Sequence, residues 1–443
     1  MYRTKFLSEL RGTSAEEKIA GWVLGGSDLP ENARELVLRD PTKTEKIIIQ
    51  SKSENILPGS FITIEGVFLP TEHKGISTSN PRIDIVVNGP PSEDDQDLIA
   101  GKSKPFDEMS RKRYLALRSP RFHENLKVVD HIVAVTSDVL RRNHFMYVDT
   151  PYLTRSVYEY SGNDFLVTTP FWQGGVAHLA QSPQFYKQLL MAGGIERYFQ
   201  YARNFRAEIG DNTHIQEFTQ IDAEMLTEDP AEIRRLMETV VVEVFDRVKN
   251  VRIETPFPVV NECDDLQQTK DEKDGPLFRW VVNAPLACQR RNGRITPSHH
   301  FMTLPVDPKA VMDAKKIEDM FHLPGTGYDL MYGDLEVAGG DLRITNAKLQ
   351  KHVLNLFGVK ENEIQNGFGA LLEAMETGVP QHGGFAFGLN RLALTLTGET
   401  SLRDVIAFPT DIHAGTALNN IPFYPKENPG FVQRHVPTGK DFV

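Results

Sequence analysis

Residues 197–225 read RYFQYARNFRAEIGDNTHIQEFTQIDAEM. The stretch holds two runs of period-two alternation, the pattern of a β-strand with two different faces. In the first, Tyr198, Gln200, Ala202 and Asn204 alternate with Phe199, Tyr201, Arg203 and Phe205. In the second, Phe218, Gln220, Asp222 and Glu224 alternate with Thr219, Ile221, Ala223 and Met225. Between them stand Gly210, Asp211 and Asn212, residue types that favour a turn. The reading is a long antiparallel hairpin with Arg206 and Glu208 at the mouth of its loop. An arginine there suits a phosphate, because its planar fork donates two parallel charge-assisted hydrogen bonds.

The chain has 443 residues, 40% of them hydrophobic and 25% charged, a soluble globular composition with room for two or three domains. No apolar run approaches the roughly 20 residues that span a bilayer, so no membrane partner is expected. The opening MYRTKFLSELRG lacks the apolar core of a secretory signal. The two cysteines, Cys263 and Cys288, make no disulfide framework and no CxxC metal spacing, and a reducing, cytoplasmic location is the expectation. A net charge of −11 argues against nonspecific nucleic-acid binding, while leaving room for a local basic groove.

Residues 1–92 read as β: candidate strands are 19–23, 35–39, 46–51, 60–69 and 82–87, punctuated by Gly, Pro and Asn. Short strands at this spacing predict a small barrel of the OB type. Residues 93–118 begin with the acidic run after Pro90 and Pro91 and read as a linker, and 119–443 as the main domain. A helix over 122–142 follows from the helical spacing of Phe122, Leu126, Val129, Val133 and Leu140, and FMYVDTP then alternates as a strand. A second helix over 229–249 has Asp229 as N-cap, Pro230 at the first position and Glu232 completing a capping box.

With those elements in place, FRAE, a loop and EFTQIDAEM resemble motif 2 of the class II aminoacyl-tRNA synthetases, aspartyl and asparaginyl branch. The helix and strand ending at Pro151 resemble motif 1, which lies at the dimer interface of that class, and GFAFGLNRL resembles motif 3. The resemblance covers nearly the whole chain and is closest to the aspartyl members, in a compact form without the bacterial insertion domain. It implies an α+β fold: an antiparallel sheet flanked by helices, preceded by an OB-fold barrel. It implies a homodimer that takes ATP, Mg²⁺, L-aspartate and a tRNA.

Adenylate formation joins two anions and needs positioning and charge rather than a side-chain nucleophile. By resemblance, Arg206, Glu208 and Arg391 carry the catalysis, and ATP is held by these three with Phe218, Glu336 and Gly388. Asp329 and Glu336 resemble the Mg²⁺ pair; Asp334 and Asp341 are nearby competitors. Glu159, Ser182, Gln184, Lys187, Gln220, Asp222, His299 and Arg343 would bind aspartate. Lys187 and Arg343 would face its side-chain carboxylate with two positive charges, and the asparaginyl branch generally lacks the lysine. His299 and His300, adjacent on a strand, would point to opposite faces, which excludes a two-histidine metal site.

The chain departs from the family in carrying Asn390 where Asp is usual, and Asp211 and His214 about where bacterial relatives have arginines. Three readings compete. One is an aspartate–tRNA ligase. The second is a relative passing aspartyl-adenylate to a small molecule, and the third an asparaginyl or nonenzymatic RNA-binding relative.

Overall fold

The computed structural model describes residues 1–10, 15–30, 32–50, 56–71, 75–78, 81–102, 104–155, 164–172, 175–261, 277–290 and 293–419. The chain divides into two compact units, built on Met1–Leu126 and Lys127–Ile406.

The first unit holds β1 (Glu17–Asp28), β2 (Arg34–Arg39), β3 (Thr44–Ile49), β4 (Phe61–Gly66), β5 (Phe68–Pro70), β6 (Ile76–Thr78) and β7 (Arg82–Val87). They form one sheet in the order β5-β6-β3-β2-β1-β4-β7. β5 stands at one margin and β4 near the other, yet only Val67 separates them in sequence. One run of chain therefore serves both sides, and the sheet closes into the expected barrel. The inward residues Ile19, Leu36, Leu38, Ile47, Ile62 and Ile64 are fully buried and form its core. The acidic run after Pro91 takes helical form as α1 (Glu93–Ile99). Its three carboxylates sit in the first turn, where the helix dipole favours them, and Leu98 and Ile99 are buried beside α2 (Phe106–Arg111) and α3 (Arg113–Ala116).

The second unit opens with most of α4 (Pro120–Arg142) and then β8 (Met146–Tyr147). A small sheet of β9 (Leu153–Thr154), β10 (Leu166–Thr168) and β11 (Val176–Leu179) precedes α5 (Gln184–Ala192). The predicted hairpin is β12 (Arg197–Phe205) and β13 (Glu217–Leu226), in continuous antiparallel register from Arg197↔Met225 to Phe205↔Glu217. After it come α6 (Pro230–Lys249), β14 (Val259–Asn261), β15 (Phe278–Val282), and a separate pair, β16 (Ala287–Gln289) and β17 (Ile295–Pro297). The chain continues through α7 (Pro308–Asp313), β18 (Tyr328–Tyr332), β19 (Leu335–Leu342), α8 (Ala347–Leu356), α9 (Glu361–Thr377), β20 (His382–Gly388) and α10 (Leu389–Thr397).

The main sheet has eight strands in the order β14-β15-β18-β19-β20-β13-β12-β8, antiparallel except at its two margins. Alternation in β13 sorts its residues between two environments. Ile221, Ala223 and Met225 join a core shared with α4, α6 and α10. Full burial of such a side chain contributes about 1.5–3 kcal/mol relative to exposure. The opposite face carries Gln220, Asp222 and Glu224, and the site lies there.

Two local expectations are corrected. The alternating FMYVDTP forms only a two-residue strand at the sheet margin, Met146 and Tyr147 against Tyr198 and Phe199, and the Val148 amide adds a last bond to the Phe199 carbonyl at 3.1 Å. The α6 cap is simpler than a box. Asp229 accepts from the Ala231 amide and Pro230 occupies the first turn, but Glu232 turns away, accepting from Thr227 Oγ1 at 2.7 Å and Arg197 at 3.3 Å. Thr227 also takes the Asp229 amide at 3.1 Å, so the group a box would satisfy is already used.

α6 also buries Glu238, whose Oε1 accepts from the Trp280 indole at 2.8 Å and the Phe257 amide at 3.1 Å. Glu238→Ala leaves two buried donors unpaired, and urea denaturation is expected to show a loss of about 1.5–3 kcal/mol. Glu238→Gln keeps the acceptor oxygen and is expected to retain most of that stability; equal losses in both variants would refute the hydrogen-bond account.

Candidate active site

A cavity of about 690 Å³ opens on the polar face of the main sheet. Its wall includes Ser182, Gln184, Lys187, Arg206, Glu208, Phe218, Gln220, Asp222, His299, Asp329, Glu336, Arg343, Gly388 and Arg391. Every site residue named from the sequence is therefore brought to one cavity, except Glu159, which lies outside the described residues.

The floor is a buried charge cluster. Lys187 Nζ lies 3.2 Å from Asp222 Oδ1 and 3.3 Å from Glu224 Oε2. Glu224 also receives the fork of Arg343, Nε to Oε1 at 2.8 Å and Nη2 to Oε2 at 3.0 Å. Arg343 Nη1 bonds Asp341, whose other oxygen takes Thr303 Oγ1 at 2.8 Å and lies 3.1 Å from His300 Nε2. The Met302 amide donates to His300 Nδ1 at 3.2 Å, and His300 Nε2 stands 2.7 Å from Arg343 Nη1 as well as beside Asp341, so the ring is held between the guanidinium and the carboxylate.

Burial alone would raise the Glu224 carboxyl; the charges of Arg343 and Lys187 overturn that and hold it at about 2. Asp341 is likewise pushed up by burial and brought below the usual range by Arg343 and His300. Burial lowers His382, favouring its neutral form. Lys187 and Arg343 are thus not two bare cations: Asp222, Glu224 and Asp341 already pair with them. The Gln184 side-chain amide, by contrast, has its Nε2 buried with no hydrogen-bond partner among the described residues.

Local sequence makes room for this cluster. Glu224 is opposite Gly384 in the β13–β20 register, and a Cβ at Gly384 would stand 2.0 Å from Glu224 Oε2. A Cβ at Gly339 would stand 2.5 Å from Asp329 Oδ1 across β18 and β19. The glycines of both strands are there for close approach.

Also on the cavity wall, Arg206 continues the hairpin ladder, its amide bonded to the Gln216 carbonyl at 2.8 Å and its Cζ 5.2 Å from the Phe218 ring centre. Arg391 lies in the first turn of α10; Nη1 donates to the Glu336 carbonyl at 2.9 Å and Nε to the Thr213 carbonyl at 3.3 Å. Asp329 and Glu336, on adjacent strands, are carboxylates of the kind that holds a hard divalent cation together with phosphate oxygens. No group of three or more metal-ligating side chains occurs among the described residues. His299 and His300 occupy a bend after β17 rather than a strand, so both reach the cavity. His299 lies 3.7 Å from Asp329, while His300 is engaged with Asp341.

The hairpin loop is closed on itself. Asp211 accepts from the Thr213 and His214 amides at 2.6 and 2.8 Å and contacts the His214 ring at 2.9 Å. Burial opposes these contacts, which nevertheless hold its carboxyl at about 2. Arg403 to the Asp211 carbonyl, the Leu402 amide to Asn212 and the Gly210 amide to Ile412 fasten the loop at 2.8–2.9 Å.

Sequence reasoning assigned no role to Glu224, though its place two residues after Asp222 put it on the same strand face. It named Asp341 only as a metal competitor. Arg290 and Arg294 also line the cavity and carried no motif.

The sequence matches the family described as tRNA synthetases class II (D, K and N) over residues 107–412. It is 26% identical to an aspartate–tRNA ligase of Fervidobacterium nodosum, covering 95% of this chain and 97% of that protein. It is 28% identical to an aspartate–tRNA(Asp/Asn) ligase of Natranaerobius thermophilus, covering 71% and 76%. The fold is similar to that of asparaginyl-tRNA synthetase from Pyrococcus horikoshii complexed with asparaginyl-adenylate, at a TM-score of 0.72 and 18% identity over 89% of this chain and 95% of that one. A putative aspartyl-tRNA synthetase from Leishmania major gives 0.71 and 17% over 91% and 92%. With the family match spanning the α4 helix, the hairpin and the α10 arginine alike, the chain belongs to the class II tRNA synthetases of the D, K and N group.

Proposed function

We propose that this protein is an ATP-dependent aspartate–tRNA ligase. The aspartate α-carboxylate attacks the α-phosphorus of ATP, forming the mixed anhydride and expelling pyrophosphate. A terminal ribose hydroxyl of tRNA then attacks the acyl carbon, forming the ester and releasing AMP. The observation that carries the reading is that one cavity gathers Lys187 and Arg343 together with Arg206 and Arg391. Relatives named as aspartate–tRNA ligases at nearly full coverage support it.

In this reading Arg206 and Arg391 hold phosphates, and Glu208, Phe218 and Gly388 line the nucleotide. Ser182, Gln184, Gln220, Asp222 and His299 seat the amino acid. Asp222 is shared between Lys187 and the substrate ammonium. Glu224 and Asp341 balance Lys187 and Arg343, so aspartate is chosen by aimed donors more than by excess positive charge. The family's glutamate in the loop over the amino acid corresponds to Glu159. Asp329 and Glu336 would hold Mg²⁺, which supplies charge neutralisation on the phosphates.

A homodimer belongs to the same reading: Met146, Tyr147, Tyr152 and Leu153 are exposed apolar side chains at and beyond the β8 margin of the sheet. So does a cytoplasmic location; no helix among the described residues is long and apolar enough to cross a membrane.

The test is aspartate-dependent AMP release by the purified protein with ATP and Mg²⁺. Strong stimulation by tRNA is expected, with aspartate preferred over asparagine. Release indifferent to tRNA would move the acceptor to a small molecule.

A further inference from the structure

Cys288 pairs with Thr296 and Gln289 with Ile295 in the β16–β17 register. The pairing continues one step beyond the strands. The Arg290 amide donates to the Arg294 carbonyl at 2.8 Å, and the Gly293 amide returns to the Arg290 carbonyl at 2.8 Å. Arg290 and Arg294 therefore stand directly opposite each other at the closing position of the hairpin. Like charges so placed destabilise a β pair. Arg290 Nε donates to Thr296 Oγ1 at 3.0 Å, and no carboxylate among the described residues pairs with it, in a chain of net charge −11. Both arginines are exposed, and both line the cavity beside Thr296 and Ser298. Both guanidinium groups carry several donors, so an anion at this end of the hairpin would meet charge-assisted donors from two adjacent strands.

The hairpin loop of residues 207–216 has no lysine or arginine, and its Glu208 and Asp211 are acidic. It is fastened to residues 402 and 412, and its Asp211 is spent on its own turn. Among the lysines and arginines that line the cavity, Arg290 and Arg294 are the two not already assigned to the amino acid or the nucleotide.

We propose that Arg290 and Arg294 form a phosphate clamp that receives the backbone of the tRNA acceptor strand, distinct from Arg206 and Arg391 on the nucleotide. The inference rests on tRNA being the acceptor. A phosphate of ATP is the other source of the same chemistry, and the test separates the two.

The test uses the full chain, with Arg290→Ala/Arg294→Ala and Arg290→Lys/Arg294→Lys. Adenylate formation is read without tRNA, as aspartyl hydroxamate made from ATP, aspartate and hydroxylamine. Aminoacylation is read against tRNA concentration at several salt concentrations. The alanine pair is expected to leave hydroxamate formation and its KM for ATP within twofold of wild type. It raises the KM for tRNA at least tenfold and flattens the salt dependence of kcat/KM by about 0.7 in log–log slope for each phosphate left unneutralised. The lysine pair restores the salt slope and part of the KM. An unchanged KM for tRNA in a wild type that does charge tRNA would overturn the clamp alone. A raised KM for ATP would assign the arginines to ATP and overturn it too. A wild type that makes hydroxamate and charges no tRNA would overturn the acceptor assignment, and the clamp with it.

Discussion

Arg206→Ala is expected to lower aspartate-dependent adenylate formation by about 10²–10³-fold, the loss typical of one preorganised donor aimed at developing charge. The prediction follows from how the guanidinium is carried. Its backbone is fixed by the Gln216 carbonyl at the end of a nine-pair antiparallel ladder, and its Cζ sits 5.2 Å from the Phe218 ring centre. Neither restraint needs a substrate, so the arginine is in place before ATP arrives. The side chain is only half-buried and belongs to no apolar core cluster, so truncation is expected to leave the thermal midpoint within a few degrees of wild type. Arg206→Lys keeps the charge and loses the planar fork, and is expected to recover only part of the rate. Pyrophosphate exchange measures the step without tRNA. A loss below fivefold with an unchanged KM for ATP would take Arg206 out of the phosphate site.

The hairpin was legible because two physical signals coincide there. Alternation of Ile221, Ala223 and Met225 against Gln220, Asp222 and Glu224 is what a strand between a core and a cavity must show. The barrel was legible from short strands at regular spacing, but not the way it closes, with one run serving both sheet margins across Val67. Pairings far apart in sequence were the least visible. Arg343 and Glu224 are 119 residues apart, and Arg391 and Thr213 are 178 apart. Composition can nominate Arg343 and Lys187 as cations; only the fold shows that Glu224 bridges both. The Arg290–Arg294 opposition escaped for a related reason: it becomes a pair only once the turn at Gly293 sets the register.

That bridged cluster gives the largest expected effect on stability. Arg343 is 1% exposed and pairs with two carboxylates that are themselves fully buried. Removing one partner of a buried ion pair leaves uncompensated charge, at a cost of about 3–5 kcal/mol, so Arg343→Met is expected to lose that much in urea denaturation at pH 7. The pH dependence separates this cause from a simple packing loss. In wild type the folded Glu224 carboxyl titrates near 2, below its unfolded value. Its stabilisation is therefore complete above the ordinary glutamate range of about 4.3 and is lost as pH falls from there toward 2. In the variant, Lys187 and His300 remain near carboxylates whose burial is no longer overcome, so their folded values rise above the unfolded ones. Folding then takes up protons, and the variant must gain stability as pH falls from 7 toward 5, where the wild-type contribution of Glu224 is flat. A second substitution, Glu224→Leu on Arg343→Met, removes one stranded charge and is expected to recover stability at pH 7 and weaken that pH dependence. Parallel pH profiles for wild type and Arg343→Met would mean that the guanidinium acts there by volume and not by charge.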